Sequence, residues 1–261
     1  MSPRLCYALF MLLALVVFLT VRWVLPKPPG LAALPWRKRA ALGVSAFVGG
    51  TFGAKLPFVL SGSDGVLSTT AWLSDGKTIV AGLAGAYLGV ELAKRVLGIR
   101  VKTGDTFALP LALALTVGRW GCFFNGCCYG VETTLPWGVW FRVEGRLVKC
   151  HPTQVYESLF HLTMAGVLWV LMRCDLLRDR RLKVYLIGYG VYRFATEFIR
   201  PEPAWWLGLT FYQWAALVPS LALAGQWWYG QRGRRPTRPS TRLTGRRASA
   251  GCRTDFQSVR P

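Results

Sequence analysis

The chain has 261 residues, of which 52% are apolar and only 17% charged. A water-soluble domain carries roughly a quarter charged residues, so this one has too few to cover a hydrated surface. Its 32 Lys and Arg against 12 Asp and Glu give a net charge of +20, and it holds 12 Trp. Together these exclude a soluble enzyme, a disordered chain and a small disulfide-framed secreted protein, and they fit a membrane protein with basic cytoplasmic loops.

Seven apolar segments follow in order: Leu5–Val21, Ala40–Leu60, Thr78–Gly98, Phe107–Phe124, Val155–Met172, Val184–Phe198 and Leu207–Tyr229. Most approach the ~20 residues that a helix needs to cross a bilayer. The first lacks a following small-x-small cleavage site and is read as a span, not a signal peptide. The reading is an all-α polytopic membrane protein with seven transmembrane helices. Residues 1–230 form the membrane domain. Residues 231–261, rich in Arg, Pro, Ser, Thr and Gly, form a disordered basic tail that touches anionic lipid and not nucleic acid.

The distribution of basic residues sets the orientation. The connections after spans one, three and five and the C-terminal tail hold 23 of the 32 Lys and Arg. These regions are expected in the cytoplasm, which leaves the N-terminus outside.

Polar groups then gather at the outer ends of the spans, where ionisable side chains are costly and usually functional. The first cluster is Gly118-Arg119-Trp120-Gly121-Cys122-Phe123-Phe124-Asn125-Gly126-Cys127-Cys128-Tyr129-Gly130. The second is His151-Pro152-Thr153-Gln154-Val155-Tyr156-Glu157, with Thr153 as the expected N-cap and Gln154 and Glu157 on one helical face. The third is the stripe Arg193, Glu197, Arg200. Three Arg against two Glu leave a positive excess, suited to bidentate contact with a phosphate. The same spacing also permits a buried Arg193–Glu197 pair that merely locks the bundle.

The GRxGxFxNGxxxG, HPTQxYE and RFxxEFxR patterns, in that order on seven spans, resemble the prolipoprotein diacylglyceryl transferase family over residues 1–230. The resemblance implies a multi-pass enzyme of the bacterial plasma membrane with its active site toward the outer face. Such an enzyme moves a diacylglyceryl group from phosphatidylglycerol to the lipobox cysteine of a prolipoprotein, and needs no cofactor. Carried over by position, it implies catalytic roles for Arg119, Arg193, Glu157 and Glu197. It implies substrate contacts for Tyr7, Asn125, Gly126, Gly130, Gln154, Tyr156 and Arg200, and Lys77, near the position of a missing family His, is read as a further substrate contact that partly substitutes for it. The chain departs from the family at Cys122 and Cys127, where Asn and Glu are usual, and at Val80, where a His is expected. A non-catalytic lipid- or anion-binding protein and a transferase with another acceptor remain the alternatives.

Two further expectations concern proton transfer and sulfur. Glu157 has no basic neighbour one turn away on its own helix, so it is the better base for the acceptor thiol, while Glu197 is tied to Arg193 and Arg200. Cys122, Cys127, Cys128 and Cys150 all fall on the outer side, and one or two disulfides are expected, most simply joining Cys150 to the loop. C-x4-C-C is not a standard zinc spacing, so no metal is expected.

Overall fold

The computed structural model describes residues 2–26, 28–61 and 78–232. Lys77 and the tail from 233 therefore lie outside the described residues. The chain is mostly helical: α1 (Pro3–Val24), a short α2 (Pro29–Ala32), α3 (Trp36–Ser61), α4 (Ile79–Val96), α5 (Asp105–Phe124), α6 (Thr153–Arg173), α7 (Arg181–Thr196) and α8 (Phe211–Arg232). Each of the seven apolar segments thus coincides with a helix. Three of them, α1, α5 and α6, are long and apolar enough to cross a membrane.

The surface is inverted relative to a water-soluble protein. Leu, Val, Phe and Trp side chains are exposed along α1, α3 and α4, while Arg119, Gln154, Glu157, His161, Arg193, Glu197 and Gln213 are buried. Burying charge is tolerable only among polar partners, and exposing so much apolar surface suits hydrocarbon. The apolar core lies between α5, α6, α7 and α8, where Leu109, Ala112, Leu168, Tyr185, Leu186 and Leu223 pack. α3 and α4 approach through Gly49 and Gly53 on one helix and Gly85 and Gly89 on the other. A β-carbon at any of these would strike the facing backbone. Such small-residue contacts let helices associate where no hydrophobic drive operates between them.

Two short hairpins modify the all-α reading. β1 (Val139–Val143) pairs antiparallel with β2 (Arg146–Cys150), Phe141 opposite Val148. β3 (Ala204–Trp206) pairs with β4 (Leu209–Thr210). Each closes through two residues of positive φ, Glu144-Gly145 and Leu207-Gly208, whose twist matches that of the flanking strands. The second hairpin occupies the first residues of the seventh apolar segment, so the last helix starts at Phe211 and not at Leu207. A capping box fixes that start: Gln213 N–H donates to Thr210 Oγ1 at 3.1 Å, and Thr210 N–H to Gln213 Oε1 at 2.8 Å.

The expected N-cap at Thr153 is also corrected. α6 begins at Thr153 itself, without a side-chain cap. The Thr153 hydroxyl instead donates to the Cys128 carbonyl, spending its hydrogen bond on a loop distant in sequence.

Candidate active site

The C-terminal ends of α5 and α7 and the N-terminal end of α6 meet, and they bring the three polar clusters together. Arg119, in the last turns of α5, donates through Nη2 to Glu157 Oε2. Arg200, just past α7, reaches the same oxygen at 3.5 Å. The Tyr189 hydroxyl, from α7, donates to the other carboxylate oxygen. Glu157 is 1% exposed and has an ion-pair or hydrogen-bond partner on either side. The expectation that Glu157 has no basic neighbour on its own helix is corrected: His161, four residues on, lies 3.8 Å from Oε1, and further partners arrive from α5, α7 and beyond α7.

The second carboxylate has its own guanidinium. Arg193 Nη2 lies 2.7 Å from Glu197 Oε2, and Thr210 donates to Glu197 Oε1 at 3.3 Å. Arg200, expected beside Glu197, pairs with Glu157 instead. The chain leaves the helix at Glu197–Ile199 in a 3-10 turn, so Arg200 does not continue the stripe.

Three buried guanidinium nitrogens within this group have no partner: Arg119 Nε, Arg193 Nη1 and Arg200 Nε. A buried N–H without an acceptor costs about 1–3 kcal/mol, and a charged donor more. Three of them on three arginines form a donor set suited to an anion with several oxygens.

Around this group stand residues that the motif reading missed. His161 Nε2 lies 3.8 Å from Glu157 Oε1, and its Nδ1 is 2.9 Å from the Tyr185 hydroxyl. Tyr185, Tyr189 and His161 are all completely buried or nearly so. A signal was present in the sequence: a His inside an apolar segment, four residues after Glu157, and a Tyr four residues before Arg193. Val80, at the position where the resemblance expects His, packs against Tyr189 and Ala216.

The loop after α5 is stitched over one side of this group. Gly130 N–H donates to His151 O at 2.9 Å, Val131 N–H to Ile199 O at 2.9 Å, and His151 N–H to Val131 O at 3.1 Å. Gln154, completely buried, donates to the Cys127 carbonyl. Asn125 caps α5, Gly126 takes a positive φ of 69°, and Tyr156 meets His151 Nδ1 at 3.2 Å. Tyr7, on α1, lies within electrostatic reach of Cys122, Cys127, Cys128 and Arg119. The disulfide expected for Cys150 is not formed. Cys150 closes β2 with its side chain buried, whereas the sulfurs of Cys122, Cys127 and Cys128 gather with one another, and all are thiols.

Gly130 is the tightest of these stitches. A β-carbon there would lie 2.6 Å from Ile199 O and 2.9 Å from His151 Cβ. Gly130→Ala is expected to push the loop off the Ile199–Arg200 segment and lower the thermal unfolding midpoint in detergent by several degrees. An overpacking cost of ~1–3 kcal/mol sets that scale. An unchanged midpoint with unchanged activity would show that the loop is not held by this contact.

A largely apolar cleft of about 660 Å³, lined by Phe18, Arg22, Leu42, Tyr87, Glu91 and Phe107 among others, opens at the opposite end of the helices. It contains none of the residues of the arginine group.

Residues 5–229 match the family model described as prolipoprotein diacylglyceryl transferase. A phosphatidylglycerol–prolipoprotein diacylglyceryl transferase of Cupriavidus necator is 32% identical over 235 residues, covering 83% of this chain and 84% of that protein. One from Clostridium tetani is 32% identical over 170 residues, 62% of this chain and 68% of that protein. One from Streptomyces coelicolor is 36% identical over 148 residues, 54% of this chain and 46% of that protein.

Proposed function

This chain belongs to the prolipoprotein diacylglyceryl transferase family, and from that premise we propose that it transfers a diacylglyceryl group from phosphatidylglycerol to the lipobox cysteine of a prolipoprotein. The observation that carries the reading is the convergence of Arg119, Arg193 and Arg200 with three unpartnered buried donors. A phosphate diester has the charge and the oxygens to accept them.

The reaction forms a carbon–sulfur bond to the glyceryl carbon as the bond from that carbon to the phosphate oxygen breaks. Glycerol phosphate leaves with the electron pair, and the thiol proton goes to a base or to the departing phosphate. The protein's part is to hold the phosphate in line and stabilise the charge it gains as it leaves. Arg119 and Arg193 are the catalytic donors, and Arg200 binds the headgroup. Glu157 and Glu197 set the angle of each guanidinium, and Tyr189 fixes Glu157 from the other side. Gln154, Gly126 and Gly130 shape the loop above the site, with Asn125 and Tyr156 at its two ends. Tyr7 and Lys77 contact substrate. His161, carried by Tyr185, is a positioning residue for Glu157.

The seven long helices all span the bacterial plasma membrane in this reading; the charges near the end of α4 include a Lys94–Glu91 pair at 2.8 Å, and Arg193 of α7 is paired inside the site with Glu197. The N-terminus and the active site lie on the outer face, where exported prolipoproteins present their cysteine. The basic connections stay in the cytoplasm.

The direct test is mass spectrometry of a reporter lipoprotein in cells depleted of their own transferase and supplied with this chain. A mass gain of one diacylglyceryl group on the lipobox cysteine is expected. An unmodified reporter, with the protein present and binding phosphatidylglycerol, would favour a non-catalytic lipid-binding role. In the same cells a topology reporter fused after Gly230 should read cytoplasmic, and one inserted at Gly145 should read external. A cytoplasmic signal at Gly145 would put the site on the wrong face for exported substrates.

A further inference from the structure

One group of reactive side chains among the described residues has no part in the proposed transfer. The sulfurs of Cys122, in the last turn of α5, and of Cys127 and Cys128, in the loop beyond it, all lie within 4.8 Å of one another. Those of Cys127 and Cys128 are 3.9 Å apart. A zinc ion bonded to thiolates at about 2.3 Å holds its sulfurs about 3.8–4.0 Å apart. Gathering these three around one ion takes displacements of under about 1 Å.

The spacing C-x4-C-C argues against a metal only while the loop is imagined as extended, because neighbouring side chains then point to opposite sides. The chain here is not extended. Gly126 and Cys128 both take left-handed backbone, at φ 69° and 64°, and that reversal turns two adjacent sulfurs to one side. The loop is held in this shape from outside. Thr153 donates to the Cys128 carbonyl and Gln154 to the Cys127 carbonyl. The contacts of the sulfurs are long: Cys127 Sγ to Cys122 O at 3.6 Å, Cys128 Sγ to Cys127 Sγ at 3.9 Å, and Arg119 Nη1 to Cys122 Sγ at 3.9 Å. Supporting groups are thus engaged and the ligand atoms are lightly bound.

We propose that Cys122, Cys127 and Cys128 bind one thiophilic divalent cation, zinc(II), as a three-thiolate centre at the rim of the arginine group. The three thiols release three protons as the ion binds. Cys128 is exposed, so the fourth place on the ion faces outward and takes an exchangeable ligand, the arrangement of zinc sites that keep an open position. The centre stands apart from diacylglyceryl transfer, and its test does not depend on that activity.

The test uses the full chain, reduced, stripped of metal with a chelator and kept anaerobic in detergent. Titration with Co(II) is expected to raise a thiolate-to-cobalt charge-transfer band that saturates at one ion per chain and disappears on adding Zn(II). Cys127→Ser and Cys128→Ser should lose the band, while Cys6→Ser keeps it. A readout on the unaltered chain avoids any folding defect in the variants: Zn(II) should protect Cys122, Cys127 and Cys128 together from alkylation by N-ethylmaleimide, read by peptide mass. No saturable band in the reduced protein would overturn the proposal. So would independent alkylation of the three in the presence of Zn(II), or a disulfide between two of them in the freshly isolated chain.

Discussion

Arg119→Lys and Arg193→Lys are each expected to lower diacylglyceryl transfer by about 10²–10³, the usual loss when a donor to developing transition-state charge is removed. Arg119 uses one terminal nitrogen on Glu157 and leaves Nε buried without a partner. Arg193 uses Nη2 on Glu197 and leaves Nη1 in the same state. Each guanidinium is thus divided between a carboxylate that orients it and a free donor for the phosphate. Lys keeps the charge but has a single nitrogen, so it can hold its carboxylate or meet the phosphate in the planar geometry of the fork, and not both. The measurement is transfer from phosphatidylglycerol to a lipobox peptide, alongside the unfolding midpoint of each variant. Near-normal transfer in both Lys variants would mean that these residues do not clamp the phosphate directly.

Glu157→Gln carries the second large effect, and its form separates two roles. If Glu157 served only as a base for the acceptor thiol, the amide would reduce transfer by about 10²–10⁴ and leave stability and lipid binding intact. The structure supports a different outcome. Glu157 is contacted by Arg119, Arg200 and Tyr189 and is 1% exposed. Removing one member of a buried ion pair costs about 3–5 kcal/mol because the remaining charge is left uncompensated. Two arginines lose their counter-ion here. The expected result is therefore a joint loss of transfer, phosphatidylglycerol binding and several degrees in the unfolding midpoint. A variant that melts and binds lipid like the parent yet transfers poorly would return Glu157 to the role of base.

Local composition is enough to read the helices. Seven apolar runs give seven helices within a few residues of their expected ends, because a helix satisfies every backbone group internally wherever water is scarce. The order of the polar clusters, and the charges in them, are likewise read directly from Arg119, Glu157, Arg193, Glu197 and Arg200. The basic connections bear on orientation for the same reason, since their charge acts without any tertiary contact.

What sits beside what was decided only by tertiary structure. The spacing rule on α6 sees residues three and four away, so it offers Glu157 only His161, yet Arg119 reaches it from 38 residues earlier and Arg200 from 43 later. The 3-10 turn after Thr196 takes Arg200 off the helical stripe and delivers it to Glu157 in place of Glu197. Tyr185 and Tyr189 become part of the site only when α6 and α7 pack, and Val80 meets Tyr189 only across the helix bundle. The sulfurs of Cys127 and Cys128 come together through a left-handed turn that no periodicity encodes. Hydropathy acts residue by residue along a helix and survives in one dimension. Ion pairs and a three-sulfur group depend on distances of a few ångströms between segments far apart in the chain, and those distances exist only after the helices have packed.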